Sequence, residues 1–479
     1  MYASRRRLWI IPAVFLCTVG TLSVARHLLL GSSSYDLGIK SQLLYNCADG
    51  RWPESSFEVQ HYFGDHFNPA FLLLVPIYAL VPTPLILIAL QAASVAAGGL
   101  LVGLLTARWL PDVPRAAIVA QAVFLFHPST CNLTLFDVHE NAFAGTLVLA
   151  AVLALEDRRW VAAAACMILV AACKENGGLA VAALGTWLVL RHGRRRAGAA
   201  LIGLGLAYSF VILAVVMPQF RGETPDTLER YAHLGDTPAH MLLNILRRPH
   251  LYAASVLQAG KITYLLVLLL PTLFAPLLHP VWLLPAAWVL LPNLLSSRPQ
   301  QYSSLYQYDA LIMPFIVLAM VRAWCRLSAQ GSQKLVSRPM VGLTVAALLV
   351  SSANLRLWHP DRFALANIGR VGQFKNLREK FPSDAPVSAS MNLGPHLIRR
   401  QLLDYPNLDW PASRFPKLPV RRAEYVLVDY TFEWHQRAAR REILHADLGE
   451  HGYTLIAQAG DFALYETTEP ETVDSWATR

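Results

Sequence analysis

The chain has 479 residues, 54% of them hydrophobic and only 15% charged, with a mean hydropathy of +0.38. Soluble domains carry about 25% charged residues, so a soluble globular protein is excluded, and the apolar runs are too many and too long for a buried core. The formal charge of +9 does not signal nucleic acid, because Arg5–Arg7, Arg158-Arg159, Arg191 with Arg194–Arg196, and Arg322, Arg326, Lys334 and Arg338 each abut an apolar run, as positive-inside loops do.

From the N-terminus, a basic start leads into an apolar stretch at 8–30. It is longer than the apolar region of a cleaved signal peptide and reads as a first membrane helix. Further spans are expected at 84–107, 115–131, 139–155, 159–173, 177–191, 198–217, 262–278, 281–296, 306–323 and 339–354, about 11 in all. Several are nearer 17 residues than 23, which suits upright helices or a thin bilayer. Taking Arg191–Arg196 as cytoplasmic, parity puts the N-terminus inside and the C-terminus outside, in the cytoplasmic (inner) membrane. The apolar stretch 67–81 has no crossing left to make. With Pro69, Pro76, Pro82 and Pro84 in or beside it, it reads as a broken interfacial helix within one external loop at 31–83.

The expected domains are therefore a transmembrane one at 1–354 and an extracytoplasmic one at 355–479. In the tail, strand-length runs at 386–390, 425–429, 453–457 and 462–465 alternate with helical patches such as 432–448, the pattern of a small α/β domain. No internal repeat is visible. The six cysteines are scattered without CxxC or Cys/His metal spacing, so no disulfide framework or zinc site is indicated.

Charged groups at membrane depth are costly and are kept where they bind or react. All the candidate clusters fall on the external side in this topology. Asp36 follows the first span; its bland reading is a loop aspartate or helix cap. His61, Asp65 and His66 place three polar ligands within six residues, a spacing open to a divalent metal, Mg or Mn, with Asp36 as a fourth ligand; His66 as a simple cap is the bland reading. Asp137, His139 and Glu140 enter a span together. On a helix Asp137 and Glu140 share a face, and the helix dipole explains one acid but not three ionisable groups. Lys174-Glu175 is an interfacial ion pair or snorkelling pair, or a contact to an anionic substrate. Tyr302, Tyr306 and Tyr308 suit an aromatic belt, and Asp309 beside them is a further polar candidate. In the tail, His396, Arg399 and Arg400 are a solvated basic face or a phosphate contact.

Five blocks together resemble the DUF2079 family of prokaryotic membrane proteins: Tyr35-Asp-Leu-Gly38; His61 to Pro69 with Pro76-Ile-Tyr78; Phe136-Asp-Val-His-Glu140; Lys174-Glu175 with Gly178-Leu179; and Ser388 to His396 with Arg399-Arg400. That family looks like a branch of the GT-C membrane glycosyltransferases. The resemblance implies a helical polytopic GT-C-like domain with a small external α/β domain, acting in the cell envelope on a polyprenyl-phosphate sugar donor. GT-C loops often carry paired acids, whereas Asp36 stands without an acidic neighbour. The resemblance places Asp36 where the general base belongs, with Asp137 and Glu140 as further catalytic acids. His61, Asp65, His66, His139, Lys174, Glu175, Asp309, His396 and Arg399 are then the substrate contacts. Two other classes compete: a lipid or solute transporter or flippase, for which the missing repeat and one-sided charges speak poorly, and a non-enzymatic envelope assembly factor. Sugar, acceptor and oligomeric state are not legible.

Overall fold

The computed structural model describes residues 6–57, 61–221, 226–330, 337–358, 367–399, 403–404, 423–431 and 438–470. Arg5, Lys334, Arg400 and the first part of the helix expected at 432–448 lie outside the described residues. Contacts sort the chain into two compact units. The first comprises Met1–Ser23, Phe63–Phe71 and Ala89–Trp358, the second Val24–Tyr62, Leu72–Ile88 and His359–Arg479.

Every one of the eleven expected spans carries helix: α1 (Ile10–Leu28), α2 (Pro84–Trp109), α3 (Pro114–Phe126) with α4 (Pro128–Leu135), α5 (Glu140–Glu156), α6 (Trp160–Cys173), α7 (Gly177–His192), α8 (Arg195–Arg221), α9 (Pro249–Val256) with α10 (Ala259–Thr272), α11 (Pro280–Leu295), α12 (Met313–Ala329) and α13 (Arg338–Ser351). By length and composition α1, α2 and α8 suffice alone to cross a membrane, and the bent pairs α3/α4 and α9/α10 each suffice as one broken span. The others, such as α5 and α12 with 17 residues each, reach about 26 Å at 1.5 Å per residue. The segment expected to stay at the interface is a 3-10 turn and a helix of 6 residues each, Pro69–Leu74 and Val75–Leu80, too short for a core of about 30 Å.

The 49° bend between α3 and α4 is written in His127-Pro128. A residue before proline is pushed out of the helical region, and His127 adopts φ −58°, ψ 136°. Its ring then caps α4: Nδ1 accepts from the Ser129 N–H at 3.1 Å.

Burial orders the helices of the first unit. From Met313 to Val321 every residue of α12 is buried, so that helix runs through the interior. On α8, by contrast, Leu204, Phe210, Val211 and Val215 are exposed, which in a bilayer is a lipid-facing surface. The other side of α8 meets α7 through small residues. A Cβ on Gly178 would stand 2.1 Å from the Gly205 carbonyl oxygen, one on Gly205 2.3 Å from that of Gly178, and one on Gly185 2.7 Å from that of Gly198. Lipid supplies no hydrophobic force between helices, so packing at this range is what holds them.

Among the described residues of the second unit, five strands form one sheet: β1 (Val387–Ala389), β2 (Leu403–Asp404), β3 (Tyr425–Asp429), β4 (Tyr453–Ala459) and β5 (Phe462–Thr467), ordered β2-β1-β3-β5-β4. β1 pairs in parallel with β2 and β3, and β5 pairs antiparallel with β3 and β4. All five residues of β3 are buried, as in a strand covered on both faces. Val426, Val428 and Tyr430 join Leu444 and Leu448 of the helix Ala438–Glu450 in one core cluster. On the opposite face Tyr425 stacks on Phe381 at 5.3 Å, and Phe374 of the helix Val371–Arg378 meets Phe462 at 6.2 Å. The β4–β5 hairpin turns at Gly460, φ +59°.

The seam between α7 and α8 yields a sign reversal. Alanine ordinarily favours a helix over glycine by about 1 kcal/mol. Gly203→Ala, with open space around it, should leave the melting temperature of the detergent-solubilised protein unchanged or raise it. Gly205→Ala should lower it, because the methyl group meets the Gly178 carbonyl. Equal melting temperatures for the two variants would dissolve the seam as a structural element.

Candidate active site

In the first unit the site begins with one amide in an apolar helix. Gln91 of α2 is 1% exposed. Its Nε2 donates to the carbonyls of Asp137 at 2.8 Å, Leu133 at 3.2 Å and Phe136 at 3.4 Å, and its Oε1 accepts from the His139 N–H at 2.8 Å. Gln91 thus takes the place of water for a stretch of chain that leaves α4 before it can enter α5. That stretch carries the expected acids. The helix begins only at Glu140, with His139 extended at its start (φ −135°), so Asp137 lies in the turn and shares no helix face with Glu140. The His139 ring stacks on Phe136 at 5.0 Å. Glu140, 1% exposed, accepts from Asn68 Nδ2 at 2.6 Å.

A second turn, between α6 and α7, carries Lys174 and Glu175. Lys174 ends α6 in an extended conformation, and the reversal is so tight that a Cβ on Gly177 would stand 2.2 Å from the Val170 carbonyl. Both charged residues are buried, 8% and 6% exposed. Ser209 of α8 donates its hydroxyl to the Glu175 carbonyl at 2.9 Å. His66 bridges the acids: Nδ1 lies 3.7 Å from Glu175 Oε1 and Nε2 3.5 Å from Asp65 Oδ2, with 30% of the His66 side chain still exposed.

These groups favour one another's charged forms. Burial pushes the Glu175 carboxyl up, but the Lys174 charge and the His66 ring outweigh it and bring the pKa down to about 2. Burial likewise pulls Lys174 and His66 down. For Lys174 the carboxylates of Glu175 and Glu140 reverse this, for His66 those of Asp65 and Glu175, and both end above their ordinary values.

Asp309 is engaged differently. It lies in a short turn ahead of α12 and is 1% exposed. Ser129 donates to its Oδ2 at 2.6 Å and Tyr264 to its Oδ1 at 2.5 Å, while Asn293 donates to the Tyr264 hydroxyl at 3.0 Å. The carboxylate therefore joins α4, α10 and α11. Two buried cations accompany these groups without any signal in the motifs. The Arg356 guanidinium lies 4.2 Å from the Phe136 ring centroid and 5.2 Å from that of Tyr306, and donates to the Leu305 carbonyl at 2.9 Å. Lys261, 0% exposed, donates to the Ser255 hydroxyl at 3.1 Å and faces the Tyr302 ring at 5.1 Å.

In the second unit the first-loop motif and the tail motif interlock. Ser33, not Asp36, caps the turn Ser34–Gly38, accepting from the Tyr35 N–H. Ser34 donates its N–H and its hydroxyl to the Met391 carbonyl at 2.7 and 2.9 Å, and Gly394 is so close that a Cβ there would stand 2.0 Å from Ser34 Oγ. Asp36 itself is half-buried. The His27 and His396 rings stack at 4.3 Å. Burial and the His27 ring hold His396 well below the ordinary imidazole range, so it is neutral. Arg399 is exposed and donates to the Pro82 carbonyl at 3.4 Å; His61 accepts from Trp52 Nε1.

The expected residues thus divide. Asp65, His66, Asp137, His139, Glu140, Lys174, Glu175 and Asp309 belong to the first unit, and Asp36, His61, His396 and Arg399 to the second. For the possible metal set Asp36, His61, Asp65 and His66 the outcome is negative: among the described residues no group of three or more His, Cys, Asp or Glu side chains is arranged to hold a metal ion.

The profile of DUF2079, predicted membrane proteins, matches residues 26–464. The chain belongs to the DUF2079 family. No curated protein matches its sequence. Among solved structures the chain is similar to ArnT from Cupriavidus metallidurans bound to undecaprenyl phosphate, at 14% identity, with a TM-score of 0.52 over 95% of this chain and 97% of that one. ArnT from the same organism in the apo state gives 13% identity, the same TM-score and the same coverage. The fold of this DUF2079 chain is the ArnT-like GT-C fold, a multi-pass helical membrane domain with a small C-terminal sheet.

Within this DUF2079 chain the reversal between α6 and α7 makes a direct prediction. Glu175→Gln should move the His66 titration downward, read from its ring resonances in histidine-labelled protein. It should also destabilise the fold most between pH 4.5 and 6.5. Glu175, with its pKa depressed, contributes fully above 4.5, and that contribution fades as pH falls toward about 2. His66, with its pKa raised, contributes fully below 6.5, and its share is lost as pH rises through the folded value. Breaking a buried pair costs about 3–5 kcal/mol; with Glu140 and Asp65 still near Lys174, the lower end is expected. An unmoved His66 titration would remove Glu175 as its partner.

Proposed function

We propose that this protein is an integral membrane glycosyltransferase that transfers a sugar, with inversion, from a polyprenyl-phosphate donor to an acceptor hydroxyl on the external face of the cytoplasmic membrane. The observation that carries the reading is the buried charged reversal Lys174-Glu175 with His66, Asn68 and Glu140, in a chain that follows ArnT over 95% of its length. The ArnT structure is bound to undecaprenyl phosphate, the kind of lipid phosphate that leaves in such a transfer, and a buried lysine is in keeping with a site for that anion.

The reaction needs few parts. The acceptor oxygen attacks the anomeric carbon, the bond from that carbon to the phosphate oxygen breaks, and polyprenyl phosphate leaves with the electron pair. The acceptor proton goes to a carboxylate. In this proposal Asp36 takes that proton and Lys174 meets the phosphate. Asp137, His139 and Glu140 orient the sugar or set the charge on Lys174. Asp36 is a fair choice of base because Ser33 already caps its helical turn, so the carboxylate is not needed for that purpose.

Topology supports the external assignment. Helices α5 and α7 carry Glu140 and Lys174-Glu175 at their N-terminal ends, and Glu156 to Arg159 and Arg191-His192 at their C-terminal ends. With the arginine end cytoplasmic, the acidic end lies outside.

The test is transfer by purified protein in lipid nanodiscs with a polyprenyl-phosphate sugar, following release of polyprenyl phosphate. Asp36→Asn should lose about 10²–10⁴-fold in turnover with donor bound and keep the wild-type melting temperature. Lys174→Met should raise the donor KM. Full turnover in Asp36→Asn would remove it as the base, and donor translocation without bond cleavage would replace the enzyme by a flippase.

A further inference from the structure

At the basic end of the first unit the charges do not balance. Glu156 is taken up by Arg191, which donates from Nε and Nη2 at 2.8 and 3.0 Å, and by Trp109 Nε1 at 2.9 Å. Asp157 is taken up by Arg108. Both local carboxylates are thereby neutralised from within the protein. Arg158, Arg159 and Arg194 are exposed and pair with no carboxylate among the described residues.

Two of these arginines, Arg158 and Arg159, border a shallow, open and largely apolar groove of about 580 Å³ that is lined further by Trp160, Val161, Ala162 and Ala165. The Arg194 guanidinium joins the rim over the Trp160 ring, 3.9 Å from its centroid. Arg158 holds φ +57°, the left-handed region where a helix end ordinarily places glycine. From the basic rim an apolar stripe runs along α6: Val161 is 86% exposed, Ala165 is exposed, and Ile168 is 68% exposed. At spacings of four and three residues these side chains lie on one face.

We propose that this groove binds an anionic phospholipid, its phosphate held by Arg158, Arg159 and Arg194 and one acyl chain lying along Val161, Ala165 and Ile168. A planar guanidinium pairs with phosphate oxygens through two parallel N–H donors, and an indole at the headgroup level is at home in the interface. A soluble anion would use the basic rim and leave the apolar stripe without a role; a zwitterionic lipid would use the stripe and bring its own cation to an already cationic rim. An anionic lipid satisfies both, as basic pockets beside membrane helices do.

The test is native mass spectrometry of the full-length protein in detergent, titrated with dioleoyl phosphatidylglycerol, dioleoyl phosphatidylcholine or glycerol 1-phosphate. Wild type should retain phosphatidylglycerol at a saturable site and neither of the others. The triple variant Arg158→Gln/Arg159→Gln/Arg194→Gln should weaken retention by on the order of a hundredfold, while Arg115→Gln, an exposed arginine elsewhere, should not alter it. If the triple variant does not fold, Arg159→Gln with Val161→Asp provides the same reading, one change at each end of the groove. Equal retention of phosphatidylcholine, equal binding of glycerol 1-phosphate, or an equal loss in Arg115→Gln would overturn the proposal.

Discussion

A charge taken out of water must meet its partners inside the protein, and the reversal Lys174-Glu175 imposes that condition on the whole of the first unit. The turn holds two buried charges only because His66, Asp65 and Glu140 surround them with compensating charge. Its geometry depends in turn on the glycines that follow. Gly177 admits the Val170 carbonyl, and Gly178 admits both the Gly205 carbonyl and the Ser209 hydroxyl. That same Ser209 hydroxyl satisfies the Glu175 carbonyl. The small-residue seam between α7 and α8 and the charged turn are therefore one construction: a side chain at the seam would move the group that completes the turn.

The second turn of this unit is built by the opposite device. Where Lys174 and Glu175 compensate charge with charge, the chain from Leu133 to His139 compensates backbone with a single neutral amide. Gln91 offers both a donor and an acceptor, so one side chain inside an apolar helix closes three carbonyls and one N–H. Each polar group left unpaired at such depth costs several kcal/mol. At the far ends of α5 and α7 the chemistry changes sign. Arginines outnumber acids there, Trp109 stacks on Trp187, Trp282 meets Trp187 at a tilt, and the Arg322 guanidinium lies over the Trp109 and Trp282 rings. The helices are thus polarised along their length, acidic and buried at one end, basic and aromatic at the other.

In the second unit, segments far apart in the chain share one scaffold. Asp429, 1% exposed at the end of β3, accepts from Asn392 at 2.8 Å and from Arg370, and its N–H donates to Ser390 Oγ at 2.9 Å. Those contacts pin the loop from Ser390 to His396 to the sheet. The same loop receives Ser34 through the Met391 carbonyl. Asp36 therefore stands two residues from a contact anchored by a strand almost 400 positions later, and the local conformation of the first loop is set by the tail.

Much of the fold was legible because hydrophobic length and period are local properties. Helix appears in all eleven apolar runs, and the four strand-length runs of the tail became strands where β-rich sequence met turn residues; the span expected unbroken at 115–131 is instead bent at His127-Pro128. The membrane class followed from composition. What the chain alone did not reveal are the partnerships made across the bundle. Asp137 and Glu140 look like neighbours on a helix, yet Gln91 delays that helix until Glu140 and leaves Asp137 in a turn. Asp309 looks like a free acid beside an aromatic belt, yet Ser129 and Tyr264 engage both its oxygens. Arg356 and Lys261 carry no motif at all, and Asn68, inside the His61–Pro69 block, gives no sign in the sequence of its bond to Glu140. Sequence by itself determined which residues are polar at membrane depth, since that depends only on their setting in apolar runs. Tertiary structure alone decided which of them compensate one another, because hydrogen bonds and ion pairs act over a few ångströms between helices whose order in space is not their order in the chain.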